Sequence, residues 1–193
     1  MRFRYGHSIG FAVIAVFTVF ISLINAPTFA VTIPVQCKTA NLSFGLGNRL
    51  SPSGGEHGDL YVLINHGNTA CQLHGYPGVS FYDAKHQILP FRYARGQGQW
   101  VTHEAPRLVV LPPGRRAFFL IAKYRCDIGD SMMATSVRIY PPNERHQLIG
   151  SASDGAGVSE LHYCKGGTND PGNIVYISPV VSNARTAVPA MVH

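Results

Sequence analysis

Polar and apolar residues alternate most clearly from Asp59 to Asp83, in the sequence DLYVLINHGNTACQLHGYPGVSFYD. Leu60, Val62 and Ile64 occupy every second position, and a β-strand presents every second side chain on the same face. The polar run HGNT that follows is rich in residues that favour turns. The pattern therefore predicts a strand that ends in a tight turn.

A second turn is predicted at Gly75, Tyr76, Pro77 and Gly78, which we take as structural residues. Proline presets φ and glycine accepts a positive φ, so Pro77 and Gly78 fit the central positions of a type II turn. The alternation resumes in the sequence VSFY, which predicts the next strand.

Arg115–Tyr124 has the strongest strand pattern in the chain, and it is apolar on both faces. A strand with two apolar faces is covered on both sides, so we expect it at the centre of a sheet. Asp130–Ala134 has room for one turn of helix. Shorter strands are predicted around the central one at 42–46, 88–93, 108–111, 135–140, 146–149 and 174–177.

About eight short strands with Gly- and Pro-rich turns predict an all-β fold, an immunoglobulin-like antiparallel β-sandwich. A jelly roll or a small barrel would give the same pattern. We expect the β-sandwich domain at 37–179, after a short lead-in at 31–36. The segment 180–193 has little to bury, so a disordered tail is predicted there.

The first thirty residues have the layout of a secretory signal peptide. Arg2 and Arg4 give a positive start, an apolar run covers 9–24, and small residues precede a cleavage site after Ala30. The alternative is an uncleaved membrane anchor, because the run approaches the roughly 17–25 residues that span a bilayer. Cleavage predicts a secreted, extracellular or cell-envelope protein that meets the membrane only through this segment.

Composition and charge narrow the choice of partners. Charged residues make up 13% of the chain, against about 25% in typical domains. The formal charge of +6 falls to +4 on cleavage, and basic residues concentrate only at 92–107 and 115–116. Nucleic-acid binding would need a basic stripe with interleaved aromatics, so it is not expected. Weak attraction to an anionic envelope polymer or lipid surface is compatible with this charge.

Four cysteines in an exported chain predict two disulfides. Three pairings are open, and we favour Cys37–Cys71 with Cys126–Cys164, since each then closes a loop of fewer than forty residues. No two cysteines lie within four residues of each other, which disfavours zinc.

Known catalytic motifs are not found in the sequence: it has no Gly-x-Ser-x-Gly, Ser-x-x-Lys or His-Glu-x-x-His. We therefore expect neither an enzyme nor a cofactor. A secreted hydrolase whose site is assembled only by folding stays open as an alternative. A metal-binding envelope protein is the other alternative, with His66 and His74 joined by Asp59, Asp83 or His86.

The sequence FRYARGQGQWVTHEAPR at 91–107 holds the single tryptophan among amides and guanidinium groups. An aromatic ring in such a setting stacks on sugar rings or contacts anionic polymers. The alternative is that the tryptophan closes one end of the sandwich. The candidate binding residues are Arg92, Tyr93, Arg95, Trp100, His103 and Arg107.

The run from Asn65 through Cys71-Gln72-Leu73-His74-Gly75-Tyr76-Pro77-Gly78-Val79 resembles a domain of unknown function in exported actinobacterial, especially mycobacterial, proteins. The resemblance extends over Cys37–Pro179 and includes the turn Pro113-Gly114 and the four cysteines. It implies an immunoglobulin-like sandwich with two local disulfides and brings no catalytic residues. Many relatives are lipoproteins or carry a low-complexity linker before the domain, and we expect neither feature in this chain.

Together these patterns predict an exported, non-enzymatic, monomeric β-sandwich protein. We expect it to bind an envelope polymer, a lipid or a protein partner.

Overall fold

The computed structural model describes residues 34–50, 55–126, 131–152, 161–167 and 169–188. These residues belong to one compact unit, Ile33–His193, and the predicted signal peptide lies outside them. The described residues contain three short 3₁₀ helices, Thr39–Asn41, Pro171–Asn173 and Ala184–Ala187. The strands are β1 Val35–Gln36, β2 Leu42–Leu50, β3 Glu56–Asn65, β4 Cys71–Leu73, β5 Gly78–Tyr82, β6 Arg92–Arg95, β7 Val109–Leu111, β8 Arg116–Tyr124, β9 Ser131–Met133, β10 Ser136–Tyr140, β11 Leu148–Ser151, β12 His162–Cys164 and β13 Ile174–Ile177.

The described part of the chain is thus all-β, as expected. It contains no helix with the length and apolar character needed to cross a membrane.

The largest sheet has five strands in the order β2-β3-β8-β13-β6. Strand β8 is its central strand, which confirms the prediction from the two apolar faces of this segment. Its residues from Ala117 to Lys123 are almost all buried, because the sheet is covered on both faces.

Two three-stranded sheets, β11-β10-β5 and β1-β4-β7, cover one face of the five-stranded sheet. Side chains from all three sheets meet in one buried apolar cluster, which we call the main core. Its largest members include Tyr61 and Phe119, whose rings stack with centroids 5.5 Å apart. The pair β9 and β12 forms a separate two-stranded sheet.

The opposite face of the five-stranded sheet carries a second apolar cluster around Leu60, Leu120 and Ala122. Irregular segments cover it, including Val101 and the C-terminal residues 181–188. We call this surface the second face.

The prediction of a disordered tail from residue 180 is therefore wrong for 180–188. The backbones of Val181 and Phe118 exchange two hydrogen bonds of 2.8 Å, and Ala187 is fully buried. Small apolar side chains suffice here because they meet an apolar sheet face. Residues 189–193 lie outside the described part.

Three further expectations are corrected. The sheets are not purely antiparallel, since β1 pairs with β4 and β13 with β6 in parallel. The alternation of side chains is the same in parallel and antiparallel strands, so it could not predict strand direction. Both parallel pairs are joined by the long connections that parallel strands need. Part of the expected lead-in at 31–36 is strand β1, and Ser131–Met133 is a strand rather than a helical turn because it pairs with β12.

One of the two predicted proline–glycine turns is confirmed, and the other is not. The expected turn at Pro113-Gly114 is confirmed: Gly114 has φ of 71° and Arg115 N–H donates to Pro112 C=O at 3.1 Å. Gly78, in contrast, begins β5 opposite Tyr140 and does not have the positive φ of a type II turn. The left-handed residue is Gly75, with φ of 115°.

Both predicted disulfides are confirmed. Cys37, which directly follows β1, bonds to Cys71 at the start of β4. Cys126 bonds to Cys164 and joins the end of β8 to β12. The first disulfide therefore lies within the sheet β1-β4-β7, and the second links the five-stranded sheet to the two-stranded sheet of β9 and β12.

Candidate functional site

The candidate binding residues between Arg92 and Arg107 do not form one surface. Arg92 and Arg95 lie on β6, an edge strand of the five-stranded sheet, and both are exposed. Tyr93 lies between them and is 40% exposed. Partial burial raises the pKa of Tyr93 to about 12. These three residues therefore form a charged strand edge.

Trp100 belongs to the covering of the second face and is only partly exposed. Its indole Nε1 is buried and makes no hydrogen bond within the described part of the chain. His103 contacts the same loop, with Nε2 at 2.8 Å from the Gly98 carbonyl oxygen. Gly98 lies against Tyr176, where a Cβ atom would come within 2.7 Å of the ring.

Beneath this loop lies Glu56, which the sequence analysis did not select. Glu56 is fully buried at the start of β3 and faces Tyr124 across the ladder to β8. Burial raises the pKa of the Glu56 carboxyl, although the N–H groups of Gln99 and Trp100 and the Tyr124 hydroxyl oppose this. None of these groups completes a hydrogen bond to either carboxylate oxygen.

The arrangement around Glu56 is enclosed. Tyr124 and Tyr176 stand edge to face, with an interplanar angle of 85° and centroids 6.3 Å apart. The second buried carboxylate of β3, Asp59, has the opposite strand parity and points to the main-core face. Glu56 and Asp59 therefore do not form the facing pair that glycoside hydrolysis requires.

Asp59 and its neighbours form a polar cluster at one end of the main core. Asp59 accepts from Arg49 Nε at 3.1 Å, and Lys123 lies fully buried on the same face of the sheet. Burial, with a smaller effect from the Asp59 charge, raises the pKa of Tyr61. A cavity of about 210 Å³ opens beside this cluster, lined by His57, Lys123, Arg125, Cys126, Ser131 and His162.

The metal-site candidates lie apart. His66 is exposed and contacts Ser43 Oγ through Nε2 at 2.5 Å. Asp59 is buried with Arg49, and the Asp83 carboxylate accepts from the N–H groups of its own loop. Within the described ranges, no group of three or more His, Cys, Asp or Glu residues is placed to hold a metal ion.

A concave surface runs beside β7. Two adjacent cavities of about 420 and 190 Å³ share Ser182 in their walls. One wall is the segment from Glu104 to Arg116, which contains β7. The other wall is the segment 179–186. We call this surface the β7 groove.

Three arginines line the β7 groove: Arg107, Arg115 and Arg116 are all exposed. The one acidic residue among the described lining residues is Glu104, at 3.5 Å from Arg107 across an exposed pair. An exposed pair of this kind contributes little. The groove therefore has a positive balance, and of the predicted patch only Arg107 lies in it.

Asn65 holds one end of this surface in place, and its role follows from the structure. Its side-chain amide donates to the carbonyl oxygens of Thr69 and Leu111, at 2.9 and 2.8 Å. Its Oδ1 accepts from Gly67 N–H, and its backbone carbonyl accepts from Gly114 N–H. One buried side chain thus fixes both the turn after β3 and the turn after β7. The sequence signal was an asparagine that ends an apolar strand.

The structure defines an all-β, disulfide-bonded domain with a basic groove along one edge strand. The chain belongs to the family described as Domain of unknown function (DUF4232), whose model matches residues 37–168. No curated protein and no solved structure matches the chain.

Proposed function

We propose that this chain is an exported, non-enzymatic binding protein that takes an anionic partner in the β7 groove. The groove carries the proposal because three exposed arginines line it together with the exposed apolar side chains of Leu108 and Val110. Guanidinium groups pair with carboxylates and phosphates through parallel hydrogen bonds. Exposed apolar side chains beside them are buried when a partner binds, and this burial adds to the affinity.

Export to the envelope or the medium is part of the proposal. Two disulfides without a free cysteine among the described residues suit an oxidising compartment. The signal-peptide pattern of the first thirty residues supports the same location. We expect the intact mass of the protein from its own host to correspond to a chain starting at Val31 with both disulfides formed.

The finer fold assignment, an immunoglobulin-like sandwich, belongs to the same proposal. Its support is a main core between a five-stranded sheet and two smaller sheets, with short strands and mostly antiparallel pairs. An experimental structure would test it through the order of strands in each layer.

The test of the groove compares two pairs of arginines. Arg115→Ala/Arg116→Ala removes two charges from the groove, and Arg92→Ala/Arg95→Ala removes two from the β6 edge. Binding to immobilised polyglutamate and polyphosphate is measured at ionic strengths of about 0.01 and 0.1 M, where the Debye length falls from about 30 to about 10 Å. We expect the groove pair to lose about tenfold or more in affinity and the β6 pair less than about threefold.

Equal losses for both pairs on every anionic probe would show that net charge alone attracts the probes, which overturns the proposed site. Absence of binding to every probe at low salt would also overturn it.

A further inference from the structure

The edge of β7 that faces the groove has unused backbone hydrogen-bonding groups. Strand β4 lies between β1 and β7, and Cys37 N–H donates to the Gln72 carbonyl at 3.0 Å on the β1 side. Backbone groups of successive strand residues point to opposite sides. Cys71 and Leu73, the neighbours of Gln72, therefore direct their N–H and C=O groups towards β7.

The register then decides which β7 residues are paired. Cys71 lies opposite Leu111 and Leu73 lies opposite Val109, so these pairs exchange the hydrogen bonds of the β4–β7 ladder. Val110, opposite Gln72, directs its N–H and C=O away from β4. Outside the ladder, no hydrogen bond within the described chain reaches the backbone of Val110 or of Leu108, two residues earlier.

On the opposite wall of the groove, the backbone groups of Val181 are not available to pair with β7. Val181 N–H and C=O are both paired with Phe118 of β8, each at 2.8 Å. Pro106 and Pro112 delimit the free edge, because proline has no N–H to donate. An open backbone edge of about five residues, roughly 17 Å long, therefore faces a cavity.

The side chains around this edge specify its occupant. Leu108 is 54% and Val110 47% exposed, so apolar side chains project at the edge itself. Arg107, Arg115 and Arg116 surround them with positive charge. A chain that pairs here needs N–H and C=O groups repeating at the strand spacing, with acidic side chains for the arginines.

We propose that β7 is a docking strand, and that an extended acidic polypeptide segment adds to its free edge by β-strand addition. This inference rests on the proposed function of the groove and names its partner class. Main-chain hydrogen bonds to Val110 and Leu108 supply affinity, and the arginines select acidic side chains. A polyphosphate or an acidic glycan shares the charge but lacks the alternating backbone groups.

The experiment uses the mature chain and a synthetic peptide of alternating Glu and Val, (Glu-Val)₄, with the same peptide N-methylated at every amide as its matched control, because methylation of alternate amides would leave one edge free to pair. Polyphosphate of similar charge is the third probe. We expect the parent peptide to bind about tenfold or more tightly than the N-methylated peptide, since each lost backbone bond costs about 0.5–1.5 kcal/mol. Equal binding of both peptides would overturn strand addition.

Two protein variants sharpen the test. Val110→Pro removes the N–H that faces the groove, whereas Val110→Thr keeps the backbone group and the β-branched shape. We expect Val110→Pro to lose about tenfold in peptide affinity, with polyphosphate binding unchanged, and Val110→Thr to bind the peptide within about twofold of the parent chain. Thermal melting of each variant confirms that it is folded.

Amide hydrogen exchange tests strand addition on the protein without substitutions. Bound peptide should slow exchange at the Val110 and Leu108 amides, while polyphosphate should leave them unchanged. Unchanged exchange at both amides with saturating peptide would overturn strand addition. If the arginine pair still governs binding of both probes in that case, the proposed function survives; if no probe depends on the arginines, both proposals fail.

Discussion

The two faces of the five-stranded sheet are covered in different ways. On the main-core face, Tyr61, Phe119 and Ile121 pack beneath regular strands whose backbone groups satisfy each other in ladders. On the second face, Leu60 and Leu120 pack beneath irregular segments that include residues 181–188. Both faces are buried, but only one is covered by regular hydrogen-bonded structure.

The buried carboxylates show the consequence of this difference. Asp59, on the main-core face, is paired with Arg49 at 3.1 Å. Glu56, on the second face, makes no hydrogen bond within the described chain, and the same holds for the indole N–H of Trp100. The Tyr61 hydroxyl on the main-core face also lacks a hydrogen bond within the described chain, so the two faces differ in their carboxylates. A buried carboxylate without a partner costs more stability than a neutral hydroxyl. The following predictions test this contrast.

The largest effect is expected from Phe119→Ala on the main-core face. Phe119 is fully buried and stacks on Tyr61, so the loss should be about 3–5 kcal/mol. The matched variant Phe118→Ala changes the adjacent, partly buried residue on the second face and should cost about half as much. Urea unfolding at constant m-value measures both. Equal losses would mean that the two coverings are packed equally well.

Removal of the first disulfide should come next. Cys37→Ser/Cys71→Ser opens a loop with a sequence separation of 34, which corresponds to about 3–4 kcal/mol in the chain-entropy model. Cys126→Ser/Cys164→Ser, with a separation of 38, should cost about the same. Thermal melting under oxidising conditions checks this, and an unchanged melting temperature would contradict a stabilising role.

Shortening the chain tests the second face directly. A chain that ends at Val180 loses the two backbone bonds of Val181 and the covering of Leu120 and Ala122. Exposing about 100 Å² of apolar surface should cost about 2–3 kcal/mol. A chain that ends at Val188 keeps these contacts and is the matched reference for the shorter chain.

Glu56→Gln should stabilise the protein at neutral pH by about 1–2 kcal/mol, because the amide is polar and similar in shape but has no charge to desolvate. The pKa of the Glu56 carboxyl is raised in the folded state, so the folded protein holds this proton more tightly than the unfolded chain. Wild-type stability therefore falls as pH rises from about 4.5 through the folded pKa. The difference between variant and wild type should grow over that window and then level off.

Glu104→Gln removes one negative charge at an exposed position and so controls for the change in net charge. A flat difference for Glu56→Gln would contradict the raised pKa.

The smallest effect is expected at Lys38. Glu144 is desolvated, yet hydrogen bonds from Thr39 N–H, from Lys38 and from the Thr39 hydroxyl hold the pKa of its carboxyl below the usual value. Lys38 is 67% exposed, so Lys38→Ala should cost less than about 0.5 kcal/mol. The ionised Glu144 carboxyl contributes stability above about pH 4.5, and this stability is lost as pH falls through the folded pKa. Glu144→Gln should remove that contribution, so its effect on stability at neutral pH is opposite in sign to that of Glu56→Gln. Unfolding at two pH values separates the two carboxyls.

Elements with a strong local pattern could be predicted from the sequence. The alternation in Arg116–Tyr124 identifies the central strand because a strand with two apolar faces needs cover on both sides. The turn at Pro113-Gly114 is equally local, since proline and glycine define its backbone angles themselves. The predicted export and the loop lengths favoured the two disulfides that the structure contains.

The candidate site was harder to predict. Trp100 and the arginines of β6 share a short sequence with Arg107, but the strand pairing of Arg92–Arg95 with β13 separates them in space. The β7 groove forms where Arg107, Arg115 and the segment around Ser182 meet. Proximity in sequence was a poor guide because neighbouring residues belong to different layers.

The sequence by itself determined the all-β character and the central strand, since each depends on side-chain periodicity and turn chemistry, and loop length favoured the observed disulfide pairs among three possible pairings. Tertiary structure decided strand direction, the covering of the second face, the burial of Glu56 and the free edge of β7. These depend on which distant segment occupies each surface. Packing against that segment determines whether a short apolar stretch is buried and whether a backbone group finds a partner.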